Sequence, residues 1–301
     1  IEYQCKYTFT TELDKLGQPE DKSYIAIIHV DGNGLGQKFA NCKNLKNLRE
    51  LSMKVSIIAN RCMHKLVKKI IELLEDPDKL SEENNFKLKV DSEKRILPLR
   101  PIITGGDDIT FVCDGRLGVY LAEFFIQIFR EESHCEFKKE ISACAGVAIV
   151  GTKYPFYRAY KLSAKLCDEA KESSRDKNDS WLSFYISTSG FSGEISEIRN
   201  KQEISPQGYS LSMNPYCLDD VPNLQNTVHK LKTGISKLTN TTLWPRNKIK
   251  ELRDVLRSDE SAINYFILGL KSRNIELPGD NKFHNSLFDL RDESTDKNRT
   301  P

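Results

Sequence analysis

Asp31 and the adjacent pair Asp107-Asp108 are the side chains whose type and spacing best suit chemistry in this chain. Asp31 opens the run Asp31-Gly32-Asn33-Gly34-Leu35-Gly36, and the acid pair closes Gly105-Gly106-Asp107-Asp108. Convergent carboxylates suit Mg2+ or Mn2+, hard cations that take oxygen ligands and leave positions open for substrate phosphates. Two such ions about 3.5–4 Å apart activate an attacking hydroxyl and stabilise the leaving oxygen of an in-line phosphoryl transfer. Asp31, Asp107 and Asp108 are therefore the expected catalytic metal ligands, bridging two ions. Gly105 and Gly106 can take positive φ and let a nucleotide approach the backbone. Gly32, Asn33, Gly34, Leu35 and Gly36 lead into a helix whose free N–H groups favour a triphosphate, which makes them expected nucleotide-binding residues.

These residues must be brought together by the elements around them. The apolar run Tyr24–Val30 has the length and β-branched content of a buried strand, so Asp31 sits where a core strand ends. Ile102–Thr104 and Ile109–Cys113 flank the second motif as the arms of a hairpin. Val55, Ile58, Cys62, Leu66, Ile70 and Leu73 recur at helical spacing, as do Leu117, Leu121, Phe125 and Ile128. Ile141–Val150 reads as a further strand, Pro155 opens a helix running to about Lys171, and Trp181–Ile186 is a final strand. The order predicts an α+β fold: a ferredoxin-like palm (βαββαβ), helices on one face, with both motifs on adjacent central strands. Residues 75–95 read as a charged connection. The expected domains are a palm over residues 1–190, a small hairpin plus a mostly helical region over 191–290 with Trp244 as a packing anchor, and a flexible tail over 291–301.

The composition narrows the class. The 301 residues include 45 basic and 43 acidic side chains, so no overall basic excess points to nucleic acid, and any such contact must come from a local patch. The eight cysteines form no Cys-x-x-Cys pair, and Cys62, Cys113 and Cys144 read as small core residues in a reduced, cytoplasmic setting. No stretch approaches the roughly 18 apolar residues of a membrane span, and no signal-peptide pattern stands at the start. None of the five histidines is followed by Asp or stands in a His-x-x-x-His pair, which argues against a His-Asp phosphohydrolase or a zinc hydrolase. His29 and His64 read as packed or surface residues.

Each motif alone has an ordinary reading. Gly-Gly-Asp-Asp also makes a plain hairpin turn. The Gly-rich segment has Gln37 where a dinucleotide-binding loop wants a third Gly, and a phosphate-cradling Gly-x-x-x-x-Gly-Lys-Ser/Thr is absent. It is the combination of strand, acid, long helix and acid-tipped hairpin that points to one site.

With these motifs in place, residues 24–188 resemble the palm polymerase/cyclase domains of the large subunit of type III CRISPR effector complexes, which make cyclic oligoadenylates. The diguanylate cyclases with a Gly-Gly-Asp/Glu-Glu-Phe motif are more distant relatives. The resemblance implies metal-holding roles for Asp31, Asp107 and Asp108, with the main-chain oxygen of Gly32 as an added ligand. Ala170-Lys171 followed by Arg175 is similar to the spacing by which diguanylate cyclases hold triphosphate oxygens, and a helix through both would place Lys171 and Arg175 on one face. Phe39 stands where those cyclases read guanine with Asn, and no Arg-x-x-Asp motif precedes Gly105, so adenine is favoured. The His-Asp nuclease domain and zinc-binding cysteines of the CRISPR subunits are missing, which suggests a stand-alone palm in antiviral signalling. The implied partners are nucleoside triphosphates, ATP favoured, with a homodimer or effector-complex subunits, no membrane, and nucleic acid left open. The competing reading is a catalytically silent palm that binds nucleotide as a scaffold within a CRISPR-like complex. A dinucleotide-dependent oxidoreductase leaves the Gly-Gly-Asp-Asp hairpin unexplained.

Overall fold

The computed structural model describes residues 7–16, 23–76, 95–175, 177–187, 197, 199, 203–206, 208, 210–239 and 244–275. The tail expected over 291–301, Gln207 of the small hairpin, and nearly all of the connection expected over 75–95 lie outside these residues. The chain divides into two compact units, Ile1–Phe191 with Asn214–Asp219, and Ser192–Met213 with Asp220–Pro301.

In the first unit the elements run β1 (Tyr24–Gly32), α1 (Leu35–Ala40), α2 (Leu45–Glu75), β2 (Leu99–Gly105), β3 (Asp108–Asp114), α3 (Gly118–Phe137), β4 (Ala143–Gly151), α4 (Phe156–Ser173), β5 (Trp181–Ile186) and β6 (Tyr216–Cys217). They build one sheet in the order β2-β3-β1-β4-β5-β6. Only the β4–β5 pairing is parallel. The β2-β3-β1-β4 core is the ferredoxin-like arrangement that the element order predicts. β1 and β4 are buried on both faces, which is why they read as unbroken apolar runs rather than as alternating patterns. β2 lies at the sheet edge, where Pro101 is tolerated beside a register irregularity.

The two crossover helices of this core, α2 and α3, pack together on one face. Asn44 caps the 31-residue α2 by accepting a 2.8 Å bond from the Asn47 amide. α4 covers the opposite face, which corrects the expectation that all helices share one. Alternation along β4 makes this plain: Gly118 at the start of α3 stands against Val147 and Ile149, whereas Gly146 stands against the backbone of α4. With α2 and α3 already covering the first face, the parallel β4–α4–β5 crossover takes the free one. A Cβ at Gly146 would lie 1.9 Å from the Ser163 carbonyl oxygen and 2.3 Å from the Cys167 nitrogen, so only glycine allows α4 to approach this closely.

β6 was not legible as a strand. It has only two residues, and it is held in place by Leu218 donating to the Ser180 carbonyl (2.8 Å) and by Asp219, which accepts from the Ser180 amide (3.1 Å) and from Arg130 (2.6 Å). The second unit carries α5 (Val228–Thr239), α6 (Arg246–Val255) and α7 (Glu260–Lys271), and its small core joins Trp244 with Phe266 and Leu270. Cys62, Cys113 and Cys144 are buried and free, as expected of small core residues. Burial pushes the Cys62 thiol up to about 12, with the Glu132 carboxylate adding to the rise. No described helix is long and apolar enough to cross a membrane.

Candidate active site

The antiparallel ladder places Asp31 directly opposite Asp108, one residue from the end of β1 and at the start of β3. Facing residues of such a pair have Cα atoms roughly 4.5–5.5 Å apart, with side chains on the same face. The hairpin that delivers Asp108 closes through the pair Gly105 and Asp108, leaving Gly106 and Asp107 as its central residues. Gly106 has φ +68°, the positive value that tight two-residue hairpins favour at their first central position. Asp31 and Asp108, two of the predicted acids, are therefore brought together by strand register.

Asp31 lies on the α4 face of β1, and Lys171 near the end of α4 donates a short hydrogen bond to its Oδ2. Burial holds the Asp31 carboxyl above the ordinary carboxylate range; the Lys171 ammonium opposes this, and nearby Asp107 reinforces it. Burial is the largest single influence on Lys171 and pulls its pKa down, but the bond to Asp31, the Asp31 charge and the nearby Cys167 and Cys144 together raise it above the ordinary lysine value. A carboxylate kept partly dry beside other acids needs a positive neighbour, and Lys171 is that neighbour here.

Asp108 is about half exposed (47%), yet its Oδ1 is buried and accepts no hydrogen bond. His29 Nδ1 stands 3.4 Å from that oxygen but is aligned instead with Thr110 Oγ1, 3.1 Å away. The His29 ring meets Tyr160 of α4 edge-on, with centroids 6.0 Å apart. His29 is buried, in keeping with the packed residue expected from the sequence, and lies beside the candidate site on the Asp31 face of β1. The signal was available: residues two apart on a strand share a face, so His29 had to accompany Asp31.

An orphaned carboxylate oxygen beside a second, lysine-paired carboxylate is a donor arrangement that a hard cation could complete with substrate phosphates and water. Among the described residues no group of three or more His, Cys, Asp or Glu side chains is placed to hold a metal ion, so Asp31, Asp107 and Asp108 do not form a three-acid cluster here.

The other predicted residues fall in distinct places. Gly32 pairs with Ala143, and a Cβ there would strike Leu35 Cδ1 at 2.6 Å and Phe129 Cζ at 2.9 Å, so this glycine also serves close packing. Asn33 donates from Nδ2 to Ser142 Oγ and Ser174 Oγ, both 3.0 Å, tying the end of β1 to the entry of β4 and the end of α4. Gly34 has φ +70° at the start of α1, Leu35 is buried and Gly36 is exposed. Arg175 lies beyond the last residue of α4, Ser173, so it does not share a helical face with Lys171. The helix ends there because Ser174 caps it and turns the chain toward β5, with Ser174 Oγ donating to the Asp179 carbonyl (2.8 Å).

Residues 24–179 match the family described as Cas10/Cmr2, second palm domain. No curated protein matches. Among solved structures, a Csm1-Csm4 cassette in complex with pppApA is similar at 13% identity and TM-score 0.43, over 92% of this chain and 33% of that one. Csm1 in T.onnurineus is similar at 13% identity and TM-score 0.37, over 56% of this chain and 22% of that one. The active GGEEF domain of a diguanylate cyclase from Vibrio cholerae is similar at 15% identity and TM-score 0.31, over 55% of this chain and 85% of that one. The chain thus spans about a third or less of these Csm1 chains. Because the match takes in β1, the acid-tipped hairpin and α4, and more than half of all residues, this chain belongs to the Cas10/Cmr2 second palm domain family.

Proposed function

We propose that this chain is a nucleotidyltransferase that joins nucleoside triphosphates, ATP before others, into a cyclic oligonucleotide that acts as a second messenger in antiviral defence. The observation that carries this reading is the pairing of Asp31 with Asp108 across β1 and β3, with one Asp108 oxygen buried and unpartnered. Asp31 and Asp108 would hold Mg2+ or Mn2+, with Asp107 and the Gly32 carbonyl as further ligands. Bound there, two such ions lower the pKa of the attacking 3′-hydroxyl and neutralise charge on the α-phosphate and the departing pyrophosphate.

The chain's own contribution is positioning and charge. Asp31 and Asp108 present their carboxylates together at the end of the two central strands, where they would hold the cation. Lys171 holds the Asp31 carboxylate in place before substrate arrives and lies within a side chain's reach of the incoming triphosphate. Gly105 and Gly106 leave the hairpin without side-chain bulk where a nucleotide must pass; neither has an atom near the position a Cβ would take. Arg175, exposed at the turn after α4, supplies a second cation to the same polyphosphate. Phe39 replaces a guanine-reading Asn, which is why ATP is the substrate proposed. A second copy of the chain or effector-complex subunits are the expected partners, in the cytoplasm.

Incubating the purified protein with each labelled triphosphate and Mg2+ or Mn2+, then resolving products by mass, tests this reading. The expected result is a cyclic product from ATP that vanishes in Asp107→Ala/Asp108→Ala. Saturable ATP binding without any product would instead establish a silent, scaffolding palm.

A further inference from the structure

The end of β1 has two flanks. Asp108 lies on the β3 side; on the β4 side a cleft of about 260 Å³ opens between α1 and the turn that enters β4. Asn33 and Gly34 of the turn after β1 border it, Gln37, Asn41 and Asn178 contribute further amides, and Lys38 and Lys139 contribute ammonium groups. Among the described lining residues Glu140 alone carries a carboxylate, and Arg130 engages it, from Nε at 3.3 Å and Nη2 at 3.1 Å. Lys38 Nζ stands 4.7 Å from the centre of the Phe137 ring, and Lys54 Nζ stands 5.6 Å from the same ring. Among the described residues, none of Lys38, Lys54 and Lys139 has a carboxylate partner.

The two ammonium groups that line the cleft, Lys38 and Lys139, repel each other, and a bound anion would relieve the field they create. Lys38 registers that field: burial first, and the charge of Lys139 second, hold its pKa below the ordinary lysine value. The amides add neutral donors, and Arg130 offsets part of the Glu140 charge while also pairing with Asp219. The cleft is smaller than the roughly 300–1,000 Å³ of sites that enclose a drug-sized ligand, so it suits a compact anion and not a whole nucleotide.

We propose that this cleft is a second anion site, separate from the Asp31–Asp108 pair, that takes a phosphate or diphosphate group. It does not depend on the catalytic reading. Two sources share this chemistry: free pyrophosphate, and the terminal phosphate of a short oligonucleotide whose remaining part lies outside the cleft.

The test is calorimetric titration of the full chain in EDTA, which silences any metal-dependent binding. Separate arms use sodium pyrophosphate, 5′-phosphorylated diadenylate and unphosphorylated diadenylate. The site predicts saturable binding of a phosphorylated probe, weakened about tenfold or more by Lys38→Gln and by Lys139→Gln, as expected when one charge-assisted bond is lost. Lys161→Gln should bind as the wild type does. Lys139→Gln keeps the test decisive if Lys38→Gln, which also loses its contact with Phe137, lowers thermal stability. Tighter binding of phosphorylated diadenylate than of pyrophosphate assigns the site to an oligonucleotide end; the reverse order assigns it to free diphosphate. Absence of saturable binding, equal binding of the unphosphorylated dinucleotide, or binding that survives both lysine substitutions would overturn the proposal.

Discussion

The two faces of the central sheet are built from the same strands, yet they do different work. On the α3 side, Ala26, Ile28, Phe111, Val147 and Ile149 present only apolar groups, and Phe111 meets Phe125 with ring centroids 5.6 Å apart. On the α4 side, Ile25, Ile27, Val112 and Val150 start an equally dry cluster, but toward the end of β1 it gives way to His29, Asp31, Thr110 and Asp108. Alternation along each strand therefore sorts structural from chemical residues, and the change from dry to polar occurs within a few residues of one face. What allows it is α4. Its middle is pressed onto Gly146, while its end brings Lys171 over Asp31 as a counter-charge. A cation at that point lets carboxylates sit at the edge of a core that would otherwise exclude them.

Substitutions on the two faces should separate these roles. The largest effect is expected at the acids themselves: Asp31→Asn or Asp108→Asn should cut nucleotidyl transfer at least about a hundredfold, roughly 3 kcal/mol of barrier, with little change in thermal stability. Product formation by mass and a melting curve check this together. Next comes the helix seat. Gly146→Ala drives a methyl into the α4 backbone and should cost about 3 kcal/mol, a fall of roughly 6–12 °C in melting temperature for a domain of this size. Gly118→Ala meets Ala26 Cβ at 2.5 Å and Val147 Cγ1 at 3.1 Å near a helix start that can shift, so its cost should be smaller, about 1–2 kcal/mol. An equal loss at both glycines would show that the two helices are seated alike.

A smaller effect is expected at His29. His29→Leu keeps the packing against Tyr160 but leaves the Thr110 hydroxyl and the Asp108 carboxylate without their neighbour, which should weaken Mn2+ binding about tenfold to a hundredfold. Unchanged Mn2+ binding would return His29 to a purely structural role. Lys171→Met should raise the KM for ATP about tenfold, with less effect on kcat, if the lysine contacts ground state and transition state alike. Lys161→Ala, which removes only an exposed contact 4.6 Å above the Tyr157 ring, should leave both constants unchanged.

The order of the strands, the long helices and the meeting of Asp31 with the hairpin acid Asp108 are legible because each depends on a local pattern: an apolar run, a helical period, a glycine turn. What was not legible depends on three-dimensional neighbours. Nothing in Ser142, Ser174 and Asn33 as isolated residues reveals that they clamp three elements together. The exposure of α4 to the opposite face follows from which face was already filled, which no single segment records. Gly146 looks like any small residue in an alternating strand until the helix that crosses it is known. The cleft beside α1 draws its lysines from α1 and from the turn before β4, about a hundred residues apart, so no linear motif marks it.

The central claim is that Asp31 and Asp108 together hold a divalent cation for a bound nucleotide. Titrating Mn2+ into the protein with a non-hydrolysable ATP analogue, read by electron paramagnetic resonance, tests it most directly. The account predicts saturable Mn2+ binding in the wild type, weakened about tenfold or more in Asp31→Asn and again in Asp108→Asn, with both variants folded. Equal Mn2+ binding by the wild type and both folded variants would contradict it.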